Sequence, residues 1–386
     1  MRVCAAFLTL CAIALPAFAQ SLEDRRERYL NIDMELRLLE APRRLSAADV
    51  RVPASAAPVA SVQVRLKVVD PGTRDWAVIV ESLNGAHREV IPAADVQDAE
   101  HWSSVVPGGL AVVRLLPDGT TANIQADAYA IPITIDSPQG LIGQDDSKFL
   151  DHMTIPPGVV AWTRAVGRIS VMTSLGRGSC TGFLVGSDLM LTNQHCIADA
   201  SDARQSWVEF GVDSVAASPT SFRIAKLIAS DPQLDYSLVR LSGNAAATFG
   251  RLYLGAGIAR TSTPKLHPID LWVVQHPKGE PKKVAFPPNC SVRSRSLKGV
   301  DDVLNDFGHT CDTRRGSSGA PVLDVKTALV LGLHHWDVDP AVTKPEEMEN
   351  QAIHIDLICS HLRTLSKNDP ASVPQLVLDQ VFQVKP

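Results

Sequence analysis

The stretch Gly316–Pro321, GSSGAP, decides the fold when it is taken together with two earlier stretches. These are Leu191–Cys196, LTNQHC, and Leu234–Leu241, LDYSLVRL. A Gly-x-Ser-Gly turn presents its serine on a tight backbone path that glycine permits. Each stretch taken singly has an ordinary structural explanation, as a loop, a buried histidine or a turn residue. The three together, in this order, favour one shared chemical site.

Nucleophilic hydrolysis by serine needs a base within hydrogen-bond reach and a carboxylate that orients the base. Ser318, His195 and Asp235 supply these three groups, although Asp231 is close enough to Asp235 to compete for the orienting role. Backbone N–H groups must also stabilise the developing oxyanion. The sequence assigns that task to the N–H groups of Gly316 and Ser318.

These motifs resemble those of the trypsin/chymotrypsin-like serine peptidases, whose histidine stands in Thr-Ala-Ala-His-Cys and whose serine stands in Gly-Asp-Ser-Gly-Gly-Pro. The forms Leu-Thr-Asn-x-His and Gly-x-Ser-Gly-Ala-Pro are most similar to the bacterial glutamyl-endopeptidase branch. The resemblance covers residues 159–365 and implies a chymotrypsin-like double β-barrel with His195, Asp235 and Ser318 as its catalytic triad. Ser317 stands where trypsin-like zymogens carry an aspartate, so we expect maturation by a different route.

The resemblance implies a serine endopeptidase that cleaves protein or peptide substrates through an acyl-enzyme. It implies no cofactor, and no His-Glu-x-x-His or paired Cys-x-x-Cys pattern supports a metal site. The alternative is a catalytically silent binding or adhesion protein built on a peptidase fold. Loss of a triad residue would favour that alternative, and all three are present.

Three residues are candidates for substrate selection. Asp312 lies six residues before the serine, where trypsins place the acid that selects Arg or Lys. Thr313 and His334 instead match the glutamyl branch, and a hydroxyl and an imidazole can both donate to a substrate carboxylate. We therefore expect an acidic residue before the scissile bond. The alternative for His334 is a satisfied core histidine beside His335.

The chain has seven cysteines, of which Cys4 and Cys11 lie in an N-terminal leader, so five remain. An odd number leaves one unpaired. Disulfides persist outside the cytoplasm. The predicted state is Cys180–Cys196 and Cys290–Cys311 as disulfides, with Cys359 as a buried free thiol.

The leader combines Arg2, a short apolar run over Ala5–Leu15 and small residues ending at Ala19. This pattern predicts a signal peptide over residues 1–19, and a membrane anchor is the alternative. We therefore expect a secreted or periplasmic protein that has no membrane segment once mature. A net charge of −5 gives no basic surface for nucleic acid, and we expect a monomer.

An all-β architecture follows from period-two patterns separated by Pro-Gly, Asn-Gly and Asp-Gly turns. A loose amphipathic helix is predicted over residues 21–50, and a closing helix over Ile353–Leu365. The sequence leaves open whether the N-terminal β-sandwich is a removed propeptide or a retained accessory module. The predicted divisions after the signal peptide are a helical and linker segment (20–60), a β-sandwich-like domain (61–136), a linker (137–158), the peptidase domain (159–365) and a C-terminal tail (366–386).

Overall fold

The computed structural model describes residues 21–384, with gaps at 54, 56–58, 60, 97–98, 134–138, 151–156, 174–175, 215–216, 218, 261–268, 339–342 and 345–346. The predicted signal peptide, residues 1–19, lies outside the described residues. Across the part of the chain that is described, no helix has both the length and the apolar character needed to cross a bilayer.

The elements are mostly short strands. In chain order the strands are β1 (Asn31–Arg44), β2 (Val50–Val52), β3 (Ser61–Asp70), β4 (Ala77–Ser82), β5 (Arg88–Pro92), β6 (Glu100–Trp102), β7 (Val106–Pro107), β8 (Ala111–Leu116), β9 (Asn123–Pro132), β10 (Lys148–Phe149), β11 (Val166–Thr173), β12 (Gly176–Leu184), β13 (Leu189–Thr192), β14 (Trp207–Phe210), β15 (Thr220–Asp231), β16 (Tyr236–Leu241), β17 (Tyr253–Leu254), β18 (Leu271–Gln275), β19 (Lys283–Ala285), β20 (Val292–Lys298), β21 (Leu304–His309), β22 (Pro321–Asp324), β23 (Leu329–Trp336) and β24 (Asn350–His354). The helices are α1 (Leu22–Tyr29), α2 (Pro157–Arg164), α3 (Ala200–Gln205), α4 (Ala246–Phe249), α5 (Ile355–Asn368) and α6 (Gln375–Val381).

Six strands close into a first barrel. They are hydrogen-bonded in the order β11, β14, β15, β16, β13 and β12, and β12 pairs back to β11. All four residues of β13 are buried, because this strand lies inside the sheet with its apolar side chains in the core. Closure leaves no unpaired strand edge in the barrel. This rigid wall carries the segment that follows β13, Asn193–Cys196.

A second barrel follows along the chain. Its strands run in the order β18, β22, β23, β24, β21 and β20, with β19 and β10 extending the β18 side. A bridge between Asp270 and Ser291 brings the β20 end back to β18. The core of this barrel includes Val273, Phe307 and Val322, all fully buried. The two barrels form the chymotrypsin-like double β-barrel that was predicted.

The N-terminal part is a two-layer β-structure, as predicted. One layer is the sheet β2-β8-β4-β5, and the other contains β1, β9, β3 and β6. Their facing side chains, among them Val64, Trp76 and Ile124, enclose a separate apolar core. Strand β1 also pairs with β12 of the first barrel, with Asn31 opposite Ser179. The sandwich and the first barrel therefore share one continuous sheet.

The helix predicted over residues 21–50 is wrong for most of its length. Helix α1 covers only Leu22–Tyr29 and is capped by Ser21, and a long strand, β1, begins at Asn31. The apolar spacing that suggested a helix, with Met34 and Leu38 four residues apart, is also a multiple of the strand period of two. Pairing with two neighbouring strands selected the strand conformation. The sandwich consequently begins before residue 61.

The predicted closing helix is present as α5, over Ile355–Asn368. The tail predicted over residues 366–386 contains a further helix, α6, whose Val377 and Val381 are buried. The side-chain oxygen Oε1 of Gln380 accepts hydrogen bonds from the backbone N–H and the hydroxyl of Ser187. The C-terminal segment is therefore packed against the first barrel.

Candidate active site

His195 and Asp235 are brought together by two adjacent strands of the first barrel. His195 follows β13 and Asp235 precedes β16, and Thr192 of β13 lies opposite Ser237 of β16. The His195 Nδ1 atom lies 2.8 Å from Asp235 Oδ2, and the His195 backbone N–H donates to Asp235 Oδ1 at 2.9 Å. Asp235 therefore holds the histidine through both its ring and its backbone.

The backbone of Asp235 has φ +38, in the left-handed region that non-glycine residues rarely adopt. Such strain persists where the surrounding structure over-determines it. The Asn193 side chain donates to the Asp235 carbonyl at 2.8 Å, which contributes to holding this conformation. The competing acid, Asp231, instead accepts the backbone N–H groups of Gln233 and Leu234 and caps the turn. The geometry selects Asp235 as the partner of His195.

Two further basic side chains reach the Asp235 carboxylate. His335 Nδ1 lies 3.2 Å from Asp235 Oδ2, and its Nε2 lies 2.7 Å from Asp306 Oδ2. Arg25, from helix α1, places Nη1 3.3 Å from Asp235 Oδ1 and donates from Nη2 to Gln194 at 2.9 Å. All the charged groups of this network are buried. The carboxylate is thus surrounded by compensating charge.

The network shifts the acidity of its members in different directions. Burial would raise the pKa of Asp235, but the pairing with His195 and the hydrogen bonds from both histidines lower it far below its usual range. Burial lowers the pKa of His195, and the opposing pull of Asp235 does not fully restore it. Burial also lowers the pKa of His335, but Asp306 and Asp235 outweigh burial and raise it to about 9. At neutral pH the network therefore contains a neutral His195 and a protonated His335.

The turn that carries Ser318 is fastened to the same barrel. The backbone N–H of Thr181, in β12, donates to the Ser318 carbonyl at 2.8 Å, and the Thr181 hydroxyl donates to the Gly316 carbonyl at 2.9 Å. A Cβ on Gly319 would lie 2.5 Å from Thr192 Oγ1 on β13, so only glycine allows this approach. The Ser318 turn is therefore fastened to β12, and β12 pairs with β13, the strand that leads into His195.

Gly316 has φ +96, a backbone conformation that favours glycine and fits the tight turn expected of the Gly-x-Ser-Gly motif. A Cβ at this position would lie 2.8 Å from the His276 carbonyl and 2.9 Å from the Lys278 backbone nitrogen. Among the described residues, the N–H groups of Gly316 and Ser318 make no hydrogen bond. Both remain available as donors to a bound group.

The predicted selectivity residues fall into two different settings. Asp312 accepts the backbone N–H groups of Ile142 at 2.9 Å and Asp146 at 2.8 Å, one on each carboxylate oxygen. Burial raises the pKa of Asp312 despite these hydrogen bonds. This arrangement argues against Asp312 as a carboxylate that faces the substrate, because both of its oxygens bind the preceding loop.

Thr313 and His334 both contact one residue that the sequence analysis missed, Asp337. Asp337 Oδ1 accepts the Thr313 hydroxyl at 2.6 Å and lies 3.1 Å from His334 Nε2. The other ring nitrogen of His334 lies 3.2 Å from His309 Nε2. His334 is fully buried, so the alternative of a satisfied core histidine also fits its surroundings.

Residues 180–333 match the family model of the trypsin-like peptidase domain. The chain contains a trypsin-like peptidase domain. The match begins at the cysteine before Thr181 and ends at the residue before His334, so it includes the three residues His195, Asp235 and Ser318.

Two curated proteins are similar to about half of this chain. Secreted RxLR effector protein 73 of Plasmopara viticola is 31% identical over 214 residues, which cover 52% of this chain and 51% of that protein. Uncharacterized protein y4fB of Sinorhizobium fredii (strain NBRC 101917 / NGR234) is 32% identical over 217 residues, covering 52% of this chain and 31% of that protein. The match therefore spans about half the length of the first relative and less than a third of the second.

Among solved structures, a Glu endopeptidase in complex with MPD is 19% identical, with a TM-score of 0.43. The alignment covers 59% of this chain and all of that one (100%).

The peptidase domain contains both predicted disulfides, Cys180–Cys196 and Cys290–Cys311, and Cys359 is free and buried. Burial raises the pKa of the Cys359 thiol to about 12. The Cys180 and Cys196 sulfurs lie within 4.8 Å of a ring nitrogen of His195. Because these sulfurs are bonded to each other, they are not thiolate ligands for a metal ion.

Sequence reasoning missed Arg25, His335 and Asp306 of the peptidase domain's charge network. Arg25 lies in a charged segment with no motif, 210 positions from Asp235. Asp306 lies on β21 and contacts His335 of β23, with only β24 between the two strands. The His-His pair at 334–335 was visible in the sequence, but the sequence analysis considered a role only for His334.

Proposed function

We propose that this chain is a serine endopeptidase that hydrolyses peptide bonds in protein or peptide substrates through an acyl-enzyme. The observation that carries the proposal is the double contact of Asp235 with His195. His195 directly follows β13, and β13 pairs with β12, to which the Ser318 turn is hydrogen-bonded. The trypsin-like peptidase match over residues 180–333 supports the same reaction class.

In the proposed reaction, the Ser318 hydroxyl attacks the scissile carbonyl while His195 takes its proton. The lowered pKa of His195 keeps the imidazole neutral and able to accept that proton. Asp235 accepts a hydrogen bond from Nδ1–H, which keeps the proton on Nδ1, directs the lone pair of Nε2 towards the nucleophile and stabilises the imidazolium that forms. The N–H groups of Gly316 and Ser318 donate to the oxyanion. His195 then protonates the leaving amine, and water releases the acyl group by the same route.

We also propose export of the protein, with cleavage after Ala19 and a monomeric mature form. The two disulfides of the peptidase domain support an oxidising compartment. Edman sequencing of protein recovered from the medium or periplasm should start at Gln20, and light scattering should give the monomer mass. A mature protein that retains Met1, or one of dimer mass, contradicts the corresponding part of the proposal.

The test of the enzymatic proposal is the reaction of Ser318 with a fluorophosphonate probe, together with cleavage of a peptide library. Ser318→Ala should remove labelling and lower kcat by about 10⁶-fold while the fold is kept. Ser360→Ala, on the exposed face of α5, is the matched control and should label like the wild type. A wild-type protein that neither labels nor cleaves any peptide would support the silent binding protein instead.

A further inference from the structure

The side chain of Asp337 occupies the two groups that were expected to bind a substrate carboxylate. Its Oδ1 accepts the Thr313 hydroxyl at 2.6 Å and lies 3.1 Å from His334 Nε2. The Asp337 side chain is 4% exposed, so the contact is shielded from water. Inside a protein such a carboxylate interacts strongly with charges placed beside it.

The remaining donor capacity around this carboxylate is limited. His334 Nδ1 faces His309 Nε2 at 3.2 Å, so both nitrogens of the His334 ring have protein partners. Burial, and then the neighbouring imidazoles, hold the pKa of His309 well below its usual range, so His309 adds no positive charge. A nearby cation is Arg315, whose Nε donates to Gln139 at 3.0 Å. Burial lowers the pKa of Arg315, and the Asp337 charge opposes that shift.

Given the proposed peptidase function, on which this inference rests, we propose that Asp337 determines specificity by excluding acidic side chains. The Asp337 carboxylate occupies the hydrogen-bond donors that a substrate carboxylate needs. An entering Glu or Asp side chain would bring a second negative charge to the same donors, and two carboxylates that share donors repel each other. Neutral and basic side chains do not meet this repulsion. The substrate class is therefore a peptide whose residue before the scissile bond is not acidic, opposite to the expectation from the motifs.

Asp312 does not supply this effect. Its two oxygens accept the N–H groups of Ile142 and Asp146, so the carboxylate is committed to the loop that precedes β10. A carboxylate that excludes acidic side chains must lie beside the Thr313 hydroxyl and the His334 ring, and the carboxylate in that position is Asp337. Specificity in enzymes often rests on such a repulsive element in addition to attractive contacts.

The experiment compares three peptides that differ only in Glu, Gln or Lys before the scissile bond. The wild-type protein should give a higher kcat/KM for the Gln and Lys peptides than for the Glu peptide. Asp337→Asn keeps the shape and an oxygen that can accept the Thr313 hydroxyl, but removes the charge. It should raise the ratio of kcat/KM for Glu over Gln by about 10- to 100-fold, the discrimination that a few kcal/mol supplies. Asp337→Ser is a second variant with the same expected direction.

Fluorophosphonate labelling of Ser318 reports whether each variant keeps its active fold. Asp312→Asn is the comparison variant, and its Glu-to-Gln ratio should stay at the wild-type value. A wild-type preference for Glu, or an unchanged ratio in labelled Asp337→Asn and Asp337→Ser proteins, overturns the proposal. An equal rise in the Asp312 variant also overturns it. Failure of the peptidase function itself is distinguishable, because the wild type would then neither label nor cleave any of the three peptides.

Discussion

Replacing Arg25 by Met tests whether helix α1 belongs to the proposed catalytic centre. Arg25 is 3% exposed, and its Nη1 lies 3.3 Å from Asp235 Oδ1 and 3.2 Å from the Pro232 carbonyl oxygen. Its Nη2 donates to Gln194 Oε1 at 2.9 Å. Methionine keeps much of the aliphatic volume but removes the charge and every donor. Arg25→Met therefore isolates the electrostatic contribution.

The size of the effect follows from the distance and the burial. Two unit charges 3.3 Å apart attract by about 5 kcal/mol at an effective dielectric constant of about 20, and the desolvation of both groups offsets part of this. Removing one partner of a buried pair typically destabilises a protein by about 3–5 kcal/mol. We expect a loss of free energy of unfolding of that order. The Arg25 charge also lowers the pKa of His195, so its removal should raise that pKa.

Two measurements check these expectations: denaturant unfolding at pH 7, and the pH profile of kcat/KM with a cleaved peptide. The acidic limb of the profile should move to higher pH in Arg25→Met, because His195 then stays protonated to a higher pH. If Arg25 had only a structural role, the substitution would lower the free energy of unfolding without moving the acidic limb of the pH profile.

Arg37→Met is the matched control. Arg37 pairs with Glu35 at 2.7 Å on the exposed face of β1, with half of its side chain in solvent, so its loss should cost less than about 1 kcal/mol. Equal stability of the two variants, with superimposable pH profiles, would refute the assignment of Arg25 to the catalytic centre.

Three further outcomes are expected. Asp235→Asn should lower kcat by about 10⁴-fold, because asparagine favours the wrong imidazole tautomer of His195. Asp231→Asn should leave kcat nearly unchanged. If a steady-state assay showed the larger loss in Asp231→Asn, the orienting acid would be Asp231. Replacing both Cys180 and Cys196 by Ser should lower the free energy of unfolding by about 3 kcal/mol, and recovery of alkylated thiols from the unreduced wild type would contradict the disulfide itself. The pKa of His335 is raised to about 9 in the folded protein. Protonated His335 should therefore add about 3 kcal/mol to the free energy of unfolding, fully present below about pH 6.5 and lost as the pH rises through 9. Denaturant unfolding between pH 6 and 10 measures this loss, and a stability curve that stays flat across that range would show that His335 is not charged in the folded state.

The all-β class of the fold was predictable because its signals are local, whereas the double barrel was expected from the resemblance to the trypsin/chymotrypsin-like peptidases. Short apolar runs separated by turn residues predict strands, and the Gly-x-Ser-Gly turn carries its own backbone conformation, seen as φ +96 at Gly316. The His195, Asp235 and Ser318 assignments depended on motifs and their order, and the structure brings the first two into contact at 2.8 Å. The cysteine pairing was predictable from the count and from position along the chain.

The strand β1 was not predictable in the same way. Apolar residues four positions apart lie on one face of a helix and also on one face of a strand. The sequence of Asn31–Arg44 therefore carried no decisive local signal. The conformation was decided by partners far along the chain, since Asn31 lies opposite Ser179 and Leu36 lies opposite Ala130. Tertiary pairing overrides weak local preference in such segments.

The sequence by itself therefore predicted the residues of the proposed reaction and an all-β class of fold, because both predictions rest on short-range patterns. The tertiary structure alone decided what surrounds them. Arg25 reaches Asp235 across 210 positions, and Asp337 takes the donors of Thr313 across 24. Charges interact through space, at distances set by how the strands pack, and no spacing along the chain records which carboxylate will face which donor.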